Sequence, residues 1–160
     1  MKPDQLYQQL KPLFNQLQLP DIPMNEQGYY SFMLEGGEVF LELTEVDTLA
    51  ILAFLPLPES PGEELLLELL QANLTPDQES SLIIAADKDD AKLVIWGRLR
   101  TDNLYLDTML PLLEQLNMTL LVISRWIENA TKKEKTPQEM ADKNMRLSRE
   151  AEALLNRRFK

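Results

Sequence analysis

The sequence predicts an α+β domain built on a single, largely antiparallel β-sheet, with element order α-β-β-β-α-β-β-α and a C-terminal extension helix. Three observations predict it. Apolar residues recur at three- and four-residue steps in four separate segments. Between them lie short runs rich in β-branched and aromatic residues. Turn residues join several of those runs directly, as antiparallel neighbours require.

Pro3 to Leu19 reads as the first helix, with Leu6, Leu10, Leu13, Phe14 and Leu17 on one stripe and Pro12 as a possible kink. PDIPMNE is a linker. YYSFML, a Gly36-Gly37 turn and EVFLELTEV then form a hairpin, the glycines supplying positive φ. In its second arm Val39, Leu41 and Leu43 face one way, and Phe40, Glu42 and Thr44 the other. TLAILAFLPL loses the alternation, which fits a central strand covered on both faces, or on one face by a partner.

SPGEELLLELLQAN is the clearest helix. Ser60 and Glu63 have capping-box spacing, Pro61 suits the first turn, and Asn73 is a stop. Its apolar arc is wide: Leu65, Leu66, Leu69 and Ala72 cover one side, while Leu67, Leu70 and Leu74 extend it beyond what one sheet face buries. SLIIAAD and AKLVIWGRL form a second hairpin around KDD. In its second arm Leu93, Ile95, Gly97 and Leu99 share a face, leaving Val94, Trp96 and Arg98 on the other. A long helix follows from about Asp107 to Glu128, buried along Met109, Leu110, Leu113, Leu116, Leu120, Ile123 and Ile127. Residues 1–130 therefore form one domain. Residues 131–160 add a charged linker, TKKEKT, and an amphipathic helix striped by Met140, Leu147, Ala151, Leu154 and Leu155.

Composition narrows the function. The 160 residues are 44% hydrophobic, enough for a core that buries about two thirds of the unfolded surface. The opening MKPDQLYQQL has no signal-peptide core, and the longest apolar run, LAILAFLPLP, is broken by prolines and too short to span a bilayer. Residues 1–130 carry 7 basic and 21 acidic side chains, net −14, whereas residues 131–160 carry 9 and 5, net +4. The acidic body repels phosphate backbones, which argues against nucleic acid.

Histidine and cysteine are absent, and with them the common triads, zinc sites and disulfides. No phosphate-binding glycine motif is present. Asp87, Asp89 and Asp90 lack the ligand spacing and glycine of a calcium loop and read as a solvated turn. Neither catalysis nor a cofactor is expected.

These features resemble the small acidic class I chaperones of bacterial type III secretion, the family typified by the chaperone of the translocated intimin receptor. The resemblance covers residues 3–129: the opening helix, the strands YYSFML, VFLELTEV and TLAILAFL, the leucine-rich LLLELLQAN with its closing Asn73, the pair SLIIAAD and AKLVIWGRL, and a long helix reaching Trp126 in ISRWIENA. It implies a cytoplasmic homodimeric export chaperone that wraps an extended N-terminal segment of a secreted effector and keeps it competent for export. It places Leu66, Leu67 and Leu70 on the dimer helix. Phe32, Leu34, Phe40, Leu41, Val94 and Trp96 become candidates for client contact, with the division of labour between faces left open. Two departures stand out: some thirty extra C-terminal residues, and PDQESS in place of a glycine before the fourth strand. The rival expectation is a cytosolic adaptor or regulatory scaffold that binds a folded protein; a small carboxylate enzyme is a weaker third.

Overall fold

The computed structural model describes residues 3–44, 47–58, 61–73 and 82–158, the last 26 of these (133–158) by backbone only. The elements are α1 (Pro3–Gln16), β1 (Tyr29–Leu34), β2 (Gly37–Thr44), β3 (Thr48–Pro56), α2 (Glu63–Ala72), β4 (Ile83–Asp87), β5 (Lys92–Arg100) and α3 (Leu106–Arg158), with one 3-10 turn before α3. This is the expected α+β order. All strand pairings are antiparallel, in the spatial order β1-β2-β3-β5-β4. The α2 crossover thus sends β4 to an outer edge and sets β5 between it and β3.

Strand parity builds the core. Tyr30 and Phe32 of β1, Val39 and Leu41 of β2, Leu49, Ile51 and Ala53 of β3, and Leu93, Ile95 and Leu99 of β5 are buried on one face. Against them pack Leu6, Leu10, Leu13 and Phe14 of α1, Leu65 and Leu69 of α2, and a row from Met109 to Ile123 on α3. Gly97 keeps that packing close, since a Cβ there would sit 3.1 Å from Leu82 and 3.5 Å from Leu112.

Helix α1 ends three residues before the expected Leu19. Gln18 adopts φ 54°, the Leu19 N–H donates to Phe14 O at 2.9 Å, and the Gln18 N–H donates to Asn15 O at 3.1 Å. That paired pattern is a Schellman close, made without glycine. Pro12 sits inside α1 without ending it; the carbonyl it leaves unpaired belongs to the exposed Gln8 and reaches water.

The first hairpin corrects the glycine reading. Leu34 pairs with Gly37, so Glu35 and Gly36 are the turn residues and Gly37 alone has positive φ. Gly36 serves close approach: a Cβ there would meet Leu120 Cβ at 2.7 Å and Asn117 O at 2.8 Å. Its N–H donates to Asn117 Oδ1 at 2.7 Å, pinning the hairpin to α3.

Helix α2 begins at an N-cap Gly62 with no side-chain cap, which corrects the capping-box expectation; Ser60 lies outside the described residues, as does Leu74. The loop PDQESS is likewise outside them. Asn73 is the C-cap, as expected. Helix α3 also differs. It continues without interruption to Arg158, so the linker expected over TKKEKT is helical. Lys and Glu are good helix formers, and no glycine or proline falls between Pro111 and Pro137.

The portion of α3 from Leu106 to Lys132 is long and apolar enough to cross a membrane, a feature hidden from a search for uninterrupted apolar runs. Its apolar side is the core row itself: Met109, Leu113, Leu116, Leu120 and Ile123 are buried against the sheet.

Candidate protein-binding surfaces

A strand's two faces carry alternate residues, so the register also defines the face the helices leave bare. Ser31 pairs with Phe40, Phe40 with Leu52, Leu52 with Trp96 and Trp96 with Ile83, giving one row across all five strands. Beside that row lie Met33, Phe54 and Val94. Phe54, Met33 and Ile83 are exposed, at 42%, 65% and 43%, while Phe40, Leu52, Val94 and Trp96 are half-buried by one another. Among the described residues no helix covers this face.

Its aromatic groups form a ladder. Tyr29 meets Phe40 edge-to-face at 5.5 Å between centroids, and Phe40 meets Phe54 likewise at 5.4 Å. Two cations lie over the ends of the patch. The Arg98 guanidinium stands 4.4 Å from the Trp96 ring centroid, and Lys92 Nζ 5.9 Å from that of Phe54. Such contacts are worth about 0.5–1 kcal/mol at an exposed site and shield the rings without removing them from water.

The six proposed client positions divide by parity. Phe40, Val94 and Trp96 belong to the bare face. Phe32 and Leu41 do not: they are core residues, 6% and 0% exposed, and Leu34 shares their side and packs on the core. Phe32 and Leu41 are thereby removed from the candidates, because adjacent positions such as Phe40 and Leu41 cannot serve one sheet face. Tyr29, Leu52, Phe54 and Ile83 belong to the face and escaped the sequence reading. The signal was present in the unalternating TLAILAFLPL, whose second apolar set is Ala50, Leu52 and Phe54.

Helix α2 offers a second surface. Leu65 and Leu69 point into the core, while Leu66, Leu67 and Leu70 are 42%, 58% and 65% exposed. Leu66 therefore leaves the buried side on which the sequence reading put it. The opposite flank, Glu64 and Glu68, faces Trp126, Asn129 and Lys132 of α3 across a groove of about 480 Å³. The helix thus shows leucine to one side and carboxylate to the other. Its C-cap is tied to the sheet edge, because the Asn73 side chain bonds the backbone of Ile84 in both directions at 2.9 Å.

Among the described residues the ionisable groups form local pairs. Arg100 grips Asp102 with two hydrogen bonds, 3.1 and 2.7 Å, which hold that exposed carboxylate below its usual range. The phenol of Tyr7 is raised, chiefly by its bond to Asp21, and that of Tyr30 by burial. The Asp87 carboxylate accepts from the Asp89 N–H at 3.1 Å and the Asp90 N–H at 3.4 Å, an Asx turn; Asp90 pairs with Lys92 at 2.9 Å. Among the described residues no three acidic side chains are grouped to hold a metal.

Residues 8–126 match the Tir chaperone protein (CesT) family. No curated protein sequence matches the chain. Several solved structures share its fold. The Yersinia pestis type III secretion chaperone SycH, solved with a stable fragment of YscM2, aligns at TM-score 0.60 and 21% identity, over 73% of this chain and 98% of the other. The heterodimeric ExoU–SpcU complex of the Pseudomonas aeruginosa type III secretion system contributes a chain at TM-score 0.61 and 23% identity, covering 74% and 97%. YbjN of E. coli, described as a putative transcription regulator, aligns at 0.58 and 18%, covering 78% and 93%.

Proposed function

The chain belongs to the Tir chaperone protein (CesT) family, and from that premise we propose that it is a cytoplasmic, homodimeric export chaperone of class I. It holds an extended segment of a secreted protein in a form competent for export. The observation that carries this reading is the bare sheet face running from Met33 through Phe40, Leu52 and Phe54 to Trp96 and Ile83. An apolar surface of this continuity marks a binding site in a soluble protein, and the net −14 body keeps a protein that displays it dispersed.

Two surfaces divide the work. Leu66, Leu67 and Leu70 form the dimer contact, joined by the neighbouring β4 edge. Three leucines alone fall short of the roughly 800 Å² per partner that a stable interface buries. Phe40, Val94 and Trp96, with Leu52 and Phe54, take client side chains. An extended segment is the suited occupant because it can present apolar residues at alternate positions along a strand-like path. The ordering cost of a disordered segment requires a long contact, which a five-stranded face can supply.

The test is coexpression with the product of a neighbouring gene, followed by limited proteolysis of the purified complex. A protected client fragment with no folded structure of its own when isolated supports the chaperone. A fragment that is an independently folded domain favours the alternative, an adaptor whose flat sheet face docks a folded partner.

A further inference from the structure

Helix α1, the segment after it and strand β1 enclose a groove of about 620 Å³, within the size range of ligand pockets. Its walls include Asp4 and Tyr7 of α1, Asp21, Ile22 and Met24 of the connecting segment, and Tyr30 of β1. The two phenol rings lie 6.4 Å apart, tilted by 30°. The Tyr7 hydroxyl donates to Asp21 Oδ1 at 2.8 Å, fixing that carboxylate at the rim. No lysine or arginine is among the described residues that line the groove, which sets two carboxylates beside the half-buried ring of Tyr7. Both phenols are held above their ordinary range, Tyr7 first by the bond to Asp21 and Tyr30 first by burial and then by the charge of Asp4, so they stay neutral donors at physiological pH.

The groove adjoins an open sheet edge. β1 is one of the two edge strands. The Tyr29 N–H donates to Asn25 Oδ1 and its carbonyl accepts from the Asn25 N–H, both at 3.0 Å, which shows that this residue's backbone faces outward. By strand alternation Ser31 and Met33 face the same way, and they are the places where an added strand would pair. A strand added there lies about 4.8 Å beyond β1 and turns every second side chain toward the α1 layer, beside Tyr30.

Resting on the chaperone reading, we propose that this groove selects a cationic side chain, best an arginine, in a client segment bound along β1. The guanidinium is planar, bonds carboxylates through a fork of donors and stacks on aromatic faces. Asp4 and Asp21 supply the acceptors and the half-buried Tyr7 ring the face, with the buried Tyr30 behind it. Two carboxylates beside an aromatic ring suit an organic cation better than a metal ion, which takes more oxygen ligands. The bare face on the other side of the sheet takes the apolar residues. The groove thus adds a charge at one position to what is otherwise apolar recognition.

The test compares two fluorescent peptides of about twelve alternating valine and threonine residues, one with a central arginine and the other with citrulline, the neutral isostere, on the full chain at low ionic strength. An arginine preference of about tenfold, equivalent to about 1.4 kcal/mol, is expected. It should vanish in an Asp4→Asn, Asp21→Asn double variant while the citrulline peptide binds that variant unchanged. Both carboxylates are exposed and asparagine preserves an oxygen for the Tyr7 hydroxyl, so folding is spared. Equal binding of the two peptides by the native chain, or a preference that survives the double change, overturns the groove assignment alone. Binding of neither peptide overturns strand capture along β1, and the groove assignment with it.

Discussion

The carboxamide of Asn73 exchanges two hydrogen bonds with the backbone of Ile84: its nitrogen donates to the Ile84 carbonyl and its oxygen accepts from the Ile84 N–H, each at 2.9 Å. A side chain thereby plays the part of a neighbouring strand at the free edge of β4, and the end of α2 is fastened to the sheet. The same residue stops the helix and closes one pairing position of the edge. Asn73→Ala should cost about 1 kcal/mol, since the freed backbone groups are exposed and turn to water. Urea unfolding measures that loss, and amide exchange at Ile84 should quicken while that at Ile95 in the interior strand β5 does not.

Gly36 should tolerate nothing larger. Its hypothetical Cβ lies 2.7 Å from Leu120 Cβ and 2.8 Å from a main-chain oxygen, neither of which can swing aside. Gly36→Ala is expected to destabilise by about 2–3 kcal/mol through overpacking and loss of the Asn117 bond. Alanine at Gly37 meets no atom within 4 Å and should cost less, only the strain of its φ of 147°. Thermal unfolding of the two variants gives the order.

Leu66 and Leu70 are exposed in the single chain, so acidic replacements there should spare the fold and act on assembly. The native protein is expected to sediment at twice 18.5 kDa at micromolar concentration, and the Leu66→Glu, Leu70→Glu variant at 18.5 kDa. Two carboxylates in an apolar interface would each be desolvated without a partner. A native protein that sediments only as the 18.5 kDa species contradicts the dimer.

Removing residues 131–160 should leave the domain folded. Among the described side chains of α3 the last fully buried one is Ile123, with Trp126, Ile127 and Ala130 packed against the core beyond it. The melting temperature should move by no more than about 3 °C, the equivalent of under 1 kcal/mol in a domain of this size. Unfolding of the shortened chain would place the boundary further along α3.

Order and type of elements were legible because each segment has its own period: steps of three and four in α1, α2 and α3, alternation in β2 and β5. Parity in β1 and β3 was less legible. YYSFML and TLAILAFL are apolar at both parities, so only the pairing of Phe40 with Leu52 and Leu41 with Ile51 settles which residues are core. The sequence therefore offers the buried Phe32 and Leu41 as candidates for client contact and does not single out Leu52 and Phe54. The contacts that close the fold at a distance were beyond reach. Asn117 is 81 residues from the Gly36 N–H it accepts, and nothing in either neighbourhood announces the other. Propensity likewise could not place the end of α3, because TKKEKT has the composition of both a charged linker and an exposed helical turn.

The most direct measurement is hydroxyl-radical footprinting of the bare sheet face in the free protein and in its client complex. The account predicts that Phe40, Phe54 and Trp96 are oxidised readily in the free protein and become severalfold less reactive when the client segment is bound, while the buried Phe32 stays unreactive in both. Unchanged reactivity of those three aromatics in a complex shown to be fully formed would contradict the claim that this face holds the client.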